Sequence, residues 1–113
     1  MKSDQNPVSA RSFGFRAPRV SANFSFSVEI VGKDERYEAL CTDISEDGLA
    51  AELVKPLAPG SQVLMRMLLP GGTVPLHIPG NVEYSQDRRC GLTFNYSSPE
   101  ERRQIRLFIK SMA

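Results

Sequence analysis

The sequence predicts a mostly β fold, a small antiparallel barrel or sandwich that is followed by one α-helix. Apolar and polar side chains alternate in short stretches up to Tyr96, which is typical of strands buried on one face. Turn-forming residues separate these stretches at regular spacing, as they do in small all-β folds. After Ser97 the pattern changes to a helical period. With 113 residues, the chain has room for one domain with one modest core.

The first strands show the alternation most clearly. Residues 24–30 place Phe, Phe, Val and Ile between Ser, Ser and Glu, and residues 32–35 supply a turn. The alternation resumes over 37–41 with Tyr, Ala and Cys. If it continued unbroken, the same face would next present Asp43 and Ser45.

The later strands are shorter and their turns are richer in proline and glycine. Pro75 interrupts the short strand predicted at 74–78, and a proline confines such a strand to an edge or a bulge. A polar turn is predicted at 86–88. The further strands are predicted at 49–53, 63–69, 74–78, 82–84 and 90–96.

The end of the chain predicts one amphipathic helix over 98–112. Ser98 is placed as the N-cap, Pro99 as the first helical residue and Glu101 as the third, which is the capping-box pattern. One apolar stripe follows at helical spacing and is expected to pack on an open end or the side of the sheet. Its members are Ile105, Phe108, Ile109 and Met112.

Composition excludes several classes of protein. The net charge is only +1, so overall charge gives no argument for a nucleic-acid or membrane partner. No apolar run approaches the ~20 residues that cross a bilayer, and the N-terminus lacks the apolar stretch of a signal peptide. We therefore expect a cytoplasmic domain over 16–113, preceded by a flexible tail over 1–15. Cys41 and Cys90 are expected to stay free inside strands.

The residues needed for catalysis or metal binding are scarce. His77 is the only histidine, so no Ser–His–Asp set can be assembled without it. Glu100 and Glu101 are explained by the helix start. The sequence has no CxxC motif, no His–Cys cluster and no phosphate-binding glycine loop. These observations predict a binding module with no metal and no cofactor, not an enzyme.

Two segments remain that could bind a ligand. Residues 43–48 read DISEDG, which by itself also fits a hairpin, since Asp-Gly is a strong turn dipeptide. Ahead of the first strand, residues 11–19 carry Arg11, Arg16 and Arg19 beside phenylalanines and a proline. Guanidinium groups bind phosphate and guanine edges through paired hydrogen bonds and stack on flat bases.

Together the two segments resemble the PilZ domain, the bacterial receptor module for cyclic di-GMP, over roughly residues 16–110. The spacing of Asp43, Ser45 and Gly48 is similar to the family's DxSxxG motif, and residues 80–84 and 89–94 are similar to its late strands. Arg19 resembles the second arginine of the family's RxxxR motif. The chain departs from that motif at the first arginine, where Phe15 stands four residues before Arg19 and Arg16 stands three before it.

The resemblance implies a six-stranded antiparallel barrel that binds cyclic di-GMP and signals to a separate, unidentified protein. An arginine loop, disordered in the free protein, would close over a ligand seated on the barrel, with no nucleic acid polymer bound and no membrane insertion. The residues implied in ligand binding are Arg16, Arg19, Asp43, Ser45 and Gly48. Arg11 is a further candidate, which could reach the ligand if the loop folds back.

Two other functions stay open at this stage. A PilZ-like barrel that has lost its ligand could act by protein–protein contact alone, and Phe15 supports that alternative. A small barrel could also bind single-stranded nucleic acid through Tyr84, Phe94 and Tyr96. Two observations argue against nucleic-acid binding: the net charge is low, and the alternation places most aromatic residues in the core.

Overall fold

A computed structural model describes residues 17–112 as a closed antiparallel barrel followed by a helix. The strands adjoin one another around the barrel in the order β1-β2-β3-β6-β5-β4. The predicted six-stranded barrel is therefore confirmed, and the sandwich alternative is wrong. The elements are β1 (Val20–Ile30), β2 (Arg36–Ile44), β3 (Gly48–Glu52), β4 (Gln62–Met67), β5 (Leu76–Gln86), β6 (Arg89–Phe94) and α1 (Pro99–Met112).

One continuous core fills the barrel and extends to the helix. Inward side chains of every strand are buried, and α1 adds Ile105, Phe108 and Ile109 to the same cluster. The Phe108 ring packs edge-on against Phe24, with 5.9 Å between the ring centroids. Met112 was expected in this stripe, but 49% of its surface is exposed because the helix ends there. No helix within residues 17–112 combines the length and the apolar character that a bilayer crossing requires.

Strand β5 is longer than the sequence predicted. The segments expected at 74–78 and 82–84 join into one strand, and Pro79 lies inside it. The Pro79 carbonyl accepts a hydrogen bond from the Asn95 N–H, just past the end of β6. Since the N and O of one strand residue point to the same side, Pro79 has no N–H with which to return a hydrogen bond to Asn95. Asn95 lies one residue beyond β6, so the proline leaves the hydrogen bonds between β5 and β6 in place, and its pairing with Leu64 of β4 is kept.

A β-bulge in β2 changes which side chains face the core. The pairing of β2 with β3 shifts by one residue between Cys41 and Asp43. Cys41 and Ile44 are both fully buried, whereas Asp43 is partly exposed. The expectation that Asp43 continues the inner face of Cys41 is therefore wrong, because the extra residue turns its carboxylate to the outside of the barrel.

The helix start follows the predicted cap with one change of partner. The Ser98 hydroxyl accepts a hydrogen bond from the Glu101 N–H at 3.3 Å, as an N-cap does. The Glu101 carboxylate accepts hydrogen bonds from the Ser97 N–H and hydroxyl at 2.8 and 2.9 Å, one residue before the partner that a capping box predicts. Both contacts fix the direction in which α1 leaves β6.

Candidate functional site

A groove of about 910 Å³ lies outside the barrel, at the turn from β2 to β3. That volume is within the range of small-molecule sites. Residues just before β1, residues of β5 and β6 and the start of α1 contribute to its lining; we call the part lined by Arg19 the β1 end and the part lined by Arg102 the α1 end. Its polar and aromatic lining includes Arg19, Asp43, Glu46, Tyr84, Thr93 and Arg102.

An ion pair joins the arginine segment to the DISEDG motif. The Arg19 guanidinium donates a hydrogen bond to Asp43 Oδ1. The pairing of Ser21 with Asp43 across β1 and β2 brings the two side chains together. Both stay partly open to solvent, with 35% of the Arg19 side chain and 31% of the Asp43 side chain exposed. The sequence predicted each residue as a ligand contact, but it did not predict that they bind each other.

Ser45 is a structural residue of the turn in this structure. It is 1% exposed, and its hydroxyl oxygen accepts a hydrogen bond from the Asp47 N–H at 3.1 Å. Its own N–H donates to the Gly48 carbonyl at 2.8 Å. These local bonds close the turn between β2 and β3. A ligand in the groove would therefore meet a turn that Ser45 has already shaped.

Gly48 is required by close packing between strands. A Cβ at this position would lie 2.2 Å from the Leu92 carbonyl oxygen of β6. Its φ angle is not in the left-handed region, unlike Gly32, Gly60 and Gly71. The ligand contact of Gly48 stays a prediction, and the structure shows that this glycine allows β3 to approach β6.

Glu46 connects the turn to α1, and sequence reasoning missed this link. Its carboxylate accepts two hydrogen bonds from the Arg106 guanidinium, at 3.1 and 3.2 Å, and lies 3.7 Å from Nε of Arg102. The Arg106 hydrogen bond, together with the nearby positive charges, lowers the pKa of Glu46. The i,i+4 spacing of the two arginines was readable in the sequence, but nothing there indicated that an acid 60 positions before Arg106 would pair with them.

Tyr96 also contacts both Glu46 and Arg102, and so links the turn to α1 a second time. The Tyr96 hydroxyl donates a hydrogen bond to the Glu46 carbonyl at 2.6 Å, and the Arg102 guanidinium lies over the Tyr96 ring at 5.3 Å. Burial raises the pKa of Tyr96, so its hydroxyl stays protonated and able to donate. Tyr96 therefore supports Arg102 at the α1 end of the groove.

The aromatic residues near the groove do not form an exposed row. Tyr84 is 45% exposed, and its ring covers Gly91, where a Cβ would lie 2.3 Å from the ring. Phe94 is buried in the core, and the Tyr96 hydroxyl is bonded to the turn. Of the three aromatic residues considered for single-stranded nucleic acid, only Tyr84 is available as a stacking surface.

Several predicted features lie elsewhere or outside the described residues. Arg11 and Arg16 precede residue 17, so their predicted ligand contacts, the disordered loop and the domain boundary at residue 16 stay predictions. His77 is exposed on β5 and does not line the groove. Within residues 17–112, no group of three or more His, Cys, Asp or Glu side chains could hold a metal ion.

Comparison with known proteins identifies the family. The family model of the PilZ domain matches residues 14–111. The crystal structure of the PilZ domain of CeSA from a cellulose-synthesizing bacterium is similar, with a TM-score of 0.71 and 18% identity, over 86% of this chain and 100% of that one. No curated protein matches the chain significantly.

Two other solved structures share the fold. The PilZ domain of Escherichia coli YcgR with c-di-GMP has a TM-score of 0.70 and 20% identity, over 86% of this chain and 89% of that one. Bacillus subtilis MotI/DgrA, an inhibitor of motility, has a TM-score of 0.67 and 18% identity, over 85% of this chain and 50% of that one. At these low identities, the structural similarity shows the fold alone. The family model, in contrast, matches nearly the whole chain. The protein is therefore a member of the PilZ domain family.

Proposed function

We propose that this domain is a receptor for cyclic di-GMP that has no catalytic activity and signals to a separate protein. The observation that carries the proposal is the ion pair of Arg19 and Asp43 in the lining of the groove. The arginine supplies a cation for a phosphate, and the acid supplies an acceptor for a base, on a surface large enough for a dinucleotide. The E. coli YcgR domain, which has the same fold, was solved with c-di-GMP.

Arg19 is held in a way that permits exchange of partners. A partly exposed ion pair contributes only about 0–1 kcal/mol, because solvent screens it. A phosphate group or the O6/N7 edge of guanine offers the guanidinium two acceptors in one plane. Arg19 can therefore leave Asp43 for the ligand at little cost, and Asp43 becomes available at the same time.

Asp43 gives the site its preference for guanine. A carboxylate accepts hydrogen bonds only, and the pairing edge of guanine carries two neighbouring N–H donors. Adenine presents a ring nitrogen acceptor at the corresponding position, which would face the carboxylate unfavourably. Cyclic di-AMP should therefore bind much more weakly than cyclic di-GMP, although the two ligands carry the same phosphates.

Binding would change the exposed surface at both ends of the groove. Residues 17–19 precede β1 at one end and α1 begins near the other. A partner protein that contacts either end would distinguish the free from the bound domain. A nucleotide second messenger is a cytoplasmic ligand, so the proposal places the domain in the cytoplasm.

Calorimetric titration with cyclic di-GMP tests the proposal, with GTP and cyclic di-AMP as control ligands. We expect micromolar or tighter binding that weakens about tenfold or more in Arg19→Ala and in Asp43→Ala. The matched controls are Arg89→Ala, at the exposed start of β6, and Asp34→Ala, in the exposed turn after β1; both remove the same charges outside the groove. An absence of heat near millimolar ligand would refute the receptor and support an adaptor without ligand, the alternative that Phe15 favours.

A further inference from the structure

Two arginines among the described residues line the groove, and each lies beside an acid of one short segment. Arg19 pairs with Asp43, and Arg102 lies beside Glu46. Asp43 and Glu46 are three positions apart, so their Cα atoms are at most about 11 Å apart. Each of the two cations therefore lies beside an acid of the same short segment.

Arg102 is held more loosely than its neighbour on the helix. Arg106 makes two hydrogen bonds to Glu46, which leaves that carboxylate well satisfied. Arg102 lies beyond hydrogen-bond distance of Glu46, at 3.7 Å, and makes no side-chain hydrogen bond with another described residue. The Tyr96 ring at 5.3 Å supports its guanidinium, and 52% of the Arg102 side chain is exposed. The geometry thus presents a positioned cation with unused donors to the groove.

We infer that Arg102 is a second cationic contact for the dinucleotide, at the α1 end of the groove. The inference rests on the proposed function, because it assumes that cyclic di-GMP occupies the groove. The two phosphates of that ligand lie on opposite sides of its macrocycle. A ligand with one phosphate at Arg19 therefore directs the other towards α1, where Arg102 can donate two hydrogen bonds to it. Arg106 is a positioning residue that neutralises Glu46 and so keeps Arg102 available.

The test is the dissociation constant of cyclic di-GMP, measured by calorimetry for Arg102→Gln and for Arg103→Gln. Arg103 is the neighbouring arginine; it pairs with Glu100 at 3.3 Å and does not line the groove. We expect Arg102→Gln to weaken binding about tenfold and Arg103→Gln to change it less than about twofold. The dissociation constant of Arg102→Lys should lie between those two values, because lysine keeps the positive charge and lacks the planar guanidinium that donates two parallel hydrogen bonds. Thermal unfolding of each variant verifies that the fold is kept.

The role of Glu46 supplies a second measurement. Arg106→Gln should weaken binding, since Glu46 then pairs with Arg102 instead. Adding Glu46→Gln to Arg106→Gln should restore the affinity. The variant with both Glu46→Gln and Arg102→Gln should bind more weakly than Glu46→Gln alone. These two comparisons separate a ligand contact from a general effect of charge near the groove.

The outcomes distinguish this inference from the proposed function. If the wild-type protein binds and Arg102→Gln binds equally well, the inference is overturned and the receptor proposal stands. If the wild-type protein does not bind cyclic di-GMP, the receptor proposal fails and the inference fails with it. A loss of affinity that is equal in Arg102→Gln and Arg103→Gln also overturns the inference, because it would reflect helix charge alone.

Discussion

Replacing Gly48 with alanine tests the claim that this glycine serves strand packing. The new Cβ would lie 2.2 Å from the Leu92 carbonyl oxygen and 3.0 Å from the Thr93 Cα. Both obstacles are backbone atoms of β6, the strand that pairs with β3. They cannot rotate away as a side chain can, so the two strands must separate where the β2–β3 turn joins the barrel.

The cost follows from that separation. A contact of 2.2 Å must lengthen by about 0.8 Å to reach even the 3.0 Å below which real Cβ contacts essentially do not occur. Strain of this kind in a packed region costs about 1–3 kcal/mol, and weakening the 2.9 Å hydrogen bond from the Phe94 N–H to the Asp47 carbonyl adds about 1 kcal/mol. We expect Gly48→Ala to lower the free energy of unfolding by about 2–4 kcal/mol and the Tm by about 8–20 °C.

The assay is thermal and denaturant unfolding of three glycine variants. Gly72→Ala is the matched control, because its nearest contact is 3.1 Å and its φ is not positive. For Gly91→Ala, the three atoms nearest to the new Cβ all belong to the exposed Tyr84 ring, which can rotate away, so the stability of this variant should fall less than that of Gly48→Ala. If Gly48→Ala were as stable as Gly72→Ala, the packing argument would be refuted and the conventional turn role would return.

Three further predictions concern the groups around the core and the helix. An NMR titration should place the pKa of Glu46 below its ordinary 4.5, and Arg106→Gln should raise that pKa again. Because the pKa is lowered in the folded state, the stabilisation by Glu46 is complete above about pH 4.5 and is lost as the pH falls through the folded pKa. A pH–stability curve that Glu46→Gln leaves unchanged would contradict this. Burial raises the pKa of Cys41 to about 12 and of Cys90 to about 11, so alkylation of the two thiols at pH ~8 should be slow until denaturant is added. Fast alkylation of the native protein would show that the thiols are accessible, against this prediction. Ser98→Ala should cost about 1 kcal/mol in denaturant unfolding through loss of the N-cap, and a cost near zero would remove the cap from the account of α1.

Much of the fold could be predicted because its signals are local. The alternation over 24–30 and the cap at Ser98 report on neighbouring residues, and both lead to the observed strand and helix. The break predicted between the strands at 74–78 and 82–84 has a different origin. A proline interrupts the pairing of two strands where its missing N–H would bond inside the partner strand, and for Pro79 that depends on where β6 stops, 15 positions away in the chain.

The candidate site was predictable in its residue types and less so in its contacts. Asp43 and Arg19 were both identified, yet their pairing depends on a bulge that turns the carboxylate outward. Glu46 was treated as part of a turn, because its partner Arg106 is on the last element of the chain. Contacts between distant segments arise from the closure of the barrel, which alternation alone does not specify.

The hydrogen bonds of the β2–β3 turn determine which residues around the groove stabilise the fold and which can bind a ligand. Residues 45–48 already form hydrogen bonds among themselves, to the Phe94 N–H and to the Tyr96 hydroxyl. A prebuilt turn needs little reorganisation on binding, so its residues contribute mainly to stability. The side chains left to exchange partners are those of the cations, Arg19 at one end and Arg102 at the other. Substitutions in the turn should therefore lower the Tm, whereas substitutions of the two arginines should change the affinity for a dinucleotide with little change in the Tm.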